Sequence, residues 1–362
     1  MLLSSWYHLE YFFRDFALYL IFILLSFIGL IFGTIKSHHL NISENKKKFL
    51  IALFFSIFCI VLIYSSSEAY FRYRFDEPDS LGFLKVNGRW FQRHVVFNSY
   101  FVRDRDFTLS KKEGVTRIGL IGDSIAMGYG IKNVEDRFSN RLEKKLIVAG
   151  KKVEVYNLGK SGYDTDTEIA EYNKSFKNLN LDIVIWEYFL NDAQPNDRST
   201  GTRILIREKA QNNLAKSISN YSYFFDYVYW RLASRFDKTF VELRNADLAA
   251  YKDKENFERH KKDVIDFATQ LKAEGKKIIV IVFPAIRFID NYPAEDIHKT
   301  MDQIFNDQGL TVIDLLNDLK GKHYRDIVVS QFDYHPNESV QKIAAQRLYE
   351  QILPLLNTAK QE

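Results

Sequence analysis

The chain has one cysteine, Cys59, and it lies inside an apolar run. No intramolecular disulfide can form, so cysteine usage says nothing about a redox compartment. An excess of charge of one sign is also missing. Fifty lysines and arginines stand against 46 aspartates and glutamates, a formal net charge of +4 over 362 residues, and nothing suggests a nucleic-acid partner. No Cys/His pattern with zinc-ligand spacing occurs. His38-His39 is an isolated pair in a polar loop with no third ligand near it. No metal and no cofactor is implied. What is abundant is apolar: 46% of residues are hydrophobic and 15% aromatic. That excludes a disordered chain and allows one large domain with additions.

Two stretches concentrate the apolar residues. Phe16 to Ile35 contains no charged residue, and Phe49 to Ser67 is a second such run. Each has about the 20 residues a helix needs to cross a hydrocarbon layer. Soluble helices of this length keep a polar face, so the pair reads as a transmembrane hairpin over residues 1–67 rather than as core helices. A cleaved signal peptide fits poorly, because the first run is long, lacks a small-residue cleavage site and is followed by a second span. The connecting loop carries Lys36, Lys46, Lys47 and Lys48 against one acid, Glu44. By the positive-inside tendency that loop is cytoplasmic. Both ends of the hairpin, and the large domain after it, are then expected outside the cytoplasmic membrane.

Residues 68–115 read as a lead-in of short strands and turns, with an alternating segment from Trp90 to Phe97, packing on a domain that occupies 116–362. From Thr116 strand-like and helix-like runs alternate. The strands are Arg117–Ile121, Val153–Asn157, Ile183–Trp186, Lys277–Phe283 and Thr311–Ile313; helices are expected at about Val134–Val148, Asp166–Phe176, Phe257–Ala273 and Ser339–Leu353. Such alternation predicts an α/β fold with a parallel sheet, whose active site lies at the C-terminal strand ends. One long insertion, at about 195–256, breaks the pattern. Its aromatic centre, Tyr221 to Trp230, reads either as a helix packed on the domain or as a lid, a substrate wall or a membrane-contacting helix.

Four short blocks fall at those strand ends. Gly122-Asp123-Ser124 follows the apolar run Ile118-Gly119-Leu120-Ile121. Asn157-Leu158-Gly159-Lys160-Ser161-Gly162 follows the second strand, and Leu190-Asn191-Asp192 the third. Asp333-Tyr334-His335-Pro336-Asn337 precedes the last helix. Each block alone is weak. Asp333 and His335 also fit a helix cap and a surface histidine, and Asn191 a turn. Together they supply a chemistry. The Ser124 hydroxyl needs a base, for which His335 is the candidate, and the imidazole needs an acid to orient it, for which Asp333 lies two residues away. A negative oxygen formed on the substrate could be bound by the N–H groups of Ser124 and Gly162 and the amide of Asn191. Pro336 helps fix the loop that carries His335 and suits the first turn of the last helix. Asp123 and Asp192 read as loop-holding residues, and Asp164, Thr165 and Asp166 as caps of the next helix.

These four blocks resemble the SGNH/GDSL hydrolase superfamily, over roughly Asn98 to Leu353. Asn98-Ser99, Arg103-Asp104, Gly128-Tyr129-Gly130 and Glu135-Asp136-Arg137-Phe138 resemble the lead-in of bacterial membrane-anchored members. The resemblance implies a three-layer α/β/α sandwich with a parallel five-stranded, flavodoxin-like sheet. It implies Ser124 as nucleophile, His335 as base and Asp333 as its orienting acid. The oxyanion donors would be Ser124, Gly162 and Asn191, with Gly162 preferred to Gly159 because the family's glycine lies farther from the strand. Phe189 departs from the family's Gly-x-Asn-Asp block, and at that position it would narrow the pocket or shift the loop carrying Asn191.

The reading that follows is a membrane-anchored serine esterase acting on an acylated small molecule or glycan, such as an O-acetyl group on a cell-surface polysaccharide. Two alternatives belong to other classes. An O-acyltransferase would pass the acyl group to a sugar hydroxyl, with a membrane acyl-donor partner supplying the channel this chain lacks. A glycan-binding protein on the same fold would need no full Ser, His, Asp and Asn set.

Overall fold

The computed structural model describes residues 2–194, 213–236 and 247–358. The chain divides into two compact units. The first comprises residues 1–76, 84–86 and 213–232; the second comprises 77–83, 87–212 and 233–362.

The first unit is helical. Helix α1 (Leu2–His39) and helix α2 (Glu44–Tyr73) are joined by a short turn. Asp15–His39 and Glu44–Tyr73 are long and apolar enough to cross a membrane. Only 11% and 6% of their most apolar 18-residue windows is buried within the molecule, unlike the core helix of a soluble domain. The aromatic centre of the long insertion belongs to this unit, as helix α7 (Asn213–Tyr221) and the part of helix α8 (Tyr223–Phe236) up to Leu232. Residues 195–212 and 237–246 of that insertion lie outside the described residues.

Rings join α8 to α2. Phe224 meets Tyr64 at 5.5 Å and Phe71 at 5.6 Å, and Tyr227 meets Phe71 at 4.7 Å. One carboxylate holds the α7–α8 junction. Glu68, wholly buried, accepts from Ser222 Oγ at 2.7 Å and from the N–H groups of Tyr223 and Phe224 at 3.0 Å each. These are the donors a helix N-terminus leaves without intrahelical partners. Arg72, one turn on, donates to Glu68 at 2.8 Å.

The second unit is built on a five-stranded sheet, β1 (Thr116–Ile121), β2 (Val153–Asn157), β3 (Ile183–Tyr188), β4 (Lys277–Val282) and β5 (Thr311–Asp314). All neighbours pair in parallel, in the order β2-β1-β3-β4-β5. Alternate residues point to opposite faces. Ile118, Leu120, Ile185 and Ile281 face helix α5 (Phe138–Val148) and helix α11 (Glu338–Thr358). Val184, Trp186, Tyr188 and Val280 face helix α9 (Lys254–Ala273) and helix α10 (Glu295–Asp307). The result is a three-layer α/β/α sandwich. The order reverses between β1 and β3, and in such sheets ligands bind beyond the carboxyl ends at this point.

The lead-in differs from the expectation at one place. Trp90 to Phe97 begins inside helix α3 (Val86–His94) and is not a strand. Val86 and Trp90, four residues apart, are its buried stripe, and that spacing is helical. Two boundaries also shift. Val134–Asp136 is a separate 3₁₀ turn before α5, and helix α6 (Thr165–Glu171) runs on into a π turn at Tyr172–Phe176. Asp164 caps α6, with its carboxylate accepting the Thr167 N–H at 3.0 Å.

Candidate active site

Strand β1 ends at Ile121, and the chain turns through Gly122-Asp123 into a single helical turn, α4 (Ser124–Met127). Asp123 caps that turn, accepting the Ile125 N–H at 2.7 Å. Ser124 is therefore the first residue of a helix that starts at the sheet edge. Its Oγ lies 2.7 Å from His335 Nε2, across 211 residues of sequence. The other ring nitrogen, Nδ1, lies 2.5 Å from Asp333 Oδ1, which also accepts the His335 N–H at 3.0 Å. Asp333 is wholly buried.

A tight loop presents His335. The Val329 N–H donates to the His335 carbonyl and the Ser330 N–H to the Asp333 carbonyl, both at 3.0 Å. Pro336 sits in an isolated bridge to Val328, and the helix starts only at Glu338. Pro336 thus closes the histidine loop and does not occupy the first helical turn. Asn337 accepts the Ser339 N–H at 3.0 Å and so caps α11.

Tyr129 packs its ring against the imidazole, with centroids 4.9 Å apart. Its hydroxyl donates to the Asp79 carbonyl at 3.1 Å and to Asn87 Oδ1 at 3.0 Å. This residue was visible in sequence only as part of a resemblance. The signal for its role is its place five residues after Ser124, on the loop that closes α4.

The resemblance names three oxyanion donors, on Ser124, Gly162 and Asn191. The N–H groups of Ser124 and Gly162 donate to no acceptor among the described residues. Gly162 has φ +83°, a left-handed conformation that favours glycine, and the space where a side chain would stand is open. Gly159 differs: a Cβ there would come within 2.5 Å of the Met127 nitrogen and 2.6 Å of Ala126 Cβ. Its small size lets the second block pack behind α4. Asn191 Nδ2 donates to Asp123 Oδ2 at 3.1 Å, which engages one amide hydrogen and leaves the other. Asp192 accepts the Phe189 N–H at 2.9 Å and holds the turn. Phe189 packs its side chain on the apolar layer shared by α5 and α11.

Polar side chains brace the serine turn from behind. Asn157 Nδ2 donates to the Ala126 carbonyl at 2.6 Å. The buried Arg103 donates to the carbonyls of Gly128 and Ile131, both at 2.7 Å. Arg137, also buried, donates to the carbonyls of Met127 (3.3 Å) and Arg103 and faces Asp104. Burial, then the neighbouring Arg137, lowers the Arg103 guanidinium to about 10. The lead-in motifs thus converge on the loop after the serine.

Beneath the turn lies a group of buried acids. Glu187, on β3, accepts the Asp123 N–H at 3.1 Å. Glu168, on α6, accepts the Trp186 indole N–H at 2.9 Å. Glu168, Glu187 and Asp192 each keep one carboxyl oxygen buried without a partner among the described residues. Burial, reinforced by Asp123 and Asp164, raises the Glu168 carboxyl to about 8. Burial with Asp123, Asp192 and Glu168 raises Glu187 well above the usual carboxylate range. Asp192 is raised likewise by burial, Glu168 and Asp123. Neutral carboxyls in this position avoid placing several charges in a dry interior. Among the described residues no group of histidines, cysteines and acids is arranged to hold a metal ion.

The profile of the GDSL-like Lipase/Acylhydrolase family matches residues 120–343. The chain belongs to this family, and it is an ester-bond hydrolase. None of the curated proteins matches it. Similar solved structures include the acetyl xylan esterase AlAXEase, at 14% identity and a TM-score of 0.40 over 65% of this chain and 99% of that one. TesA is 14% identical with a TM-score of 0.42, over 66% and 99%. A point mutant of Axe2, an acetyl-xylooligosaccharide esterase from Geobacillus, is 15% identical with a TM-score of 0.41, over 65% and 93%.

Proposed function

We propose that this protein is a membrane-anchored serine esterase that removes an acyl group, such as O-acetyl, from a cell-surface glycan through an acyl-Ser124 intermediate. The observation that carries this reading is the hydrogen-bonded line from Ser124 Oγ through His335 to Asp333. Ser124 Oγ attacks the ester carbonyl while His335 Nε2 takes its proton. The carbonyl oxygen becomes an anion facing the N–H groups of Ser124 and Gly162 and the free amide hydrogen of Asn191. Collapse breaks the bond to the alcohol, which leaves with the proton from His335. Water, deprotonated by the same imidazole, then releases the acid and restores Ser124. Asp333 holds the ring and stabilises its cationic form. The two apolar helices support anchoring, and the lysines in the helix ends that flank their connecting turn, Lys36 and Lys46 to Lys48, support a cytoplasmic turn with the catalytic unit on the other side.

The test is acyl transfer by the full chain in detergent or lipid, with a short-chain aryl acetate and with an acetylated oligosaccharide. Ser124→Ala should lower turnover by about 10⁴-fold or more and abolish a covalent acyl adduct seen by mass spectrometry. Wild-type turnover in that variant would remove Ser124 as nucleophile. Release that rises with an added sugar, with acyl-sugar formed, would move the assignment from hydrolysis to transfer.

A further inference from the structure

The junction between α7 and α8 is fixed at a definite level on the two apolar helices. Tyr19 donates its hydroxyl to the Tyr221 carbonyl at 3.1 Å, and Tyr64 shares a hydrogen bond with Ser222 Oγ at 2.8 Å. Tyr19 lies 20 residues before the end of α1 at His39, and Tyr64 lies 20 residues after the start of α2 at Glu44. At about 1.5 Å per residue both tyrosines stand about 30 Å from the connecting turn, the thickness of a hydrocarbon core. Tyrosine is enriched where a helix leaves that layer. Charge appears just beyond this level, in Glu68 and Arg72, and Arg72 Nη2 reaches back to the Tyr221 carbonyl.

From this level α7 presents an apolar stripe to the outside. Leu214, Ile218 and Tyr221 share one face by their spacing of four and three residues. Leu214 is 71% exposed and Tyr221 75%. The neighbouring face, Ala215 and Ser219, is buried. Val228 and Leu232 continue an exposed apolar edge along α8. An apolar stripe on a helix held at the end of a span matches a helix lying in the headgroup layer.

We infer that α7 and the start of α8 form a bilayer-surface element, with Leu214, Ile218 and Tyr221 inserted among lipid headgroups and upper acyl chains. This rests on the anchoring reading above. The hairpin then sets the depth and rotation of the helical unit in the membrane, so the insertion serves the lipid surface.

The test uses the full chain with Cys59→Ser, reconstituted in phosphatidylcholine/phosphatidylglycerol vesicles. Single cysteines replace Leu214, Ile218 or Tyr221, with Phe55 in mid-α2 and Lys262 on α9 as references, each carrying a bimane label. Retained ester turnover checks each protein's fold. Labels at 214, 218 and 221 should be quenched at least about twofold by a nitroxide near the lipid glycerol and little by iodide. Phe55 should respond to a nitroxide at the bilayer centre, and Lys262 to iodide alone. If 214, 218 and 221 all behave like 262 while 55 responds to the deep nitroxide, the surface element is wrong and the anchor stands. If 55 responds to no lipid nitroxide, the anchor and this inference fall together.

Discussion

Two buried acidic knots hold this molecule, one in each unit, and they are balanced differently. In the helical unit a single carboxylate, Glu68, meets three uncharged donors at the α7–α8 junction and the Arg72 guanidinium. Donors outnumber acceptors. In the catalytic unit Asp123, Glu168, Glu187 and Asp192 crowd under the serine turn, with Trp186, Asn191 and a few backbone N–H groups to serve them. Acceptors outnumber donors, and three of the four carboxyls are pushed upward. The supply of donors, more than burial itself, decides whether a buried acid acts as a clamp or holds a proton.

The sharpest way to break this comparison is Glu68→Ala. It leaves the Arg72 guanidinium on the Tyr221 carbonyl without this counter-ion, and the N-terminal donors of α8 without this acceptor, and should destabilise the helical unit by about 3–5 kcal/mol. Limited proteolysis in detergent should then cut within 213–236 much faster than in wild type. Unchanged protection would mean that the rings alone hold α8.

In the catalytic unit Asp123 has a positional task, because it holds the Asn191 amide. Asn191→Ala should lower turnover by about 100-fold or more. Asp123→Ala should approach the same loss, and the double variant should lose little more, since one acts through the other. Fully additive losses would separate the two residues.

The proton-holding knot should announce itself in pH dependence. A carboxyl raised to about 8 when folded, against about 4.3 in an unfolded chain, keeps its proton in the native state over that window while the unfolded state releases it. Stability therefore falls as pH rises from about 4.5 to 8. Glu168→Gln removes this loss and should gain on the order of 3–4 kcal/mol relative to wild type at pH 8 compared with pH 5. Chemical denaturation at the two pH values measures it, and a parallel shift at both would refute it. The smallest effect belongs to Tyr129→Phe. Losing the hydroxyl bonds to Asp79 and Asn87 should cost about 1 kcal/mol of stability and leave turnover near wild type, because the ring against His335 remains.

Much of the catalytic unit was legible in sequence because its signals are local. Apolar runs ending in Gly122-Asp123-Ser124 or Leu190-Asn191-Asp192 mark a strand and its edge within ten residues. Glu68 carried no such signal. A glutamate at the end of an apolar run reads as a flank, and its partners Ser222, Tyr223 and Phe224 lie more than 150 residues away. The aromatic insertion stayed ambiguous for the same reason, since no local pattern says which unit its rings join. Helix α3 reads as a strand in sequence because Trp90-Phe91 and Val95-Val96-Phe97 suggest one when the window starts at Trp90. The helical spacing appears only when Val86 is included.

The separation of Ser124 from His335 also has a consequence in time. A ribosome adding about 5–20 residues per second needs about 10–40 s to make the 211 residues between them. Throughout that interval a growing chain already carries its serine turn but has no partner to take the proton. The apolar helices, made earlier still, have that same interval in which to find their place. The Ser124–His335 pair is therefore assembled only late in synthesis, after both apolar helices have been made.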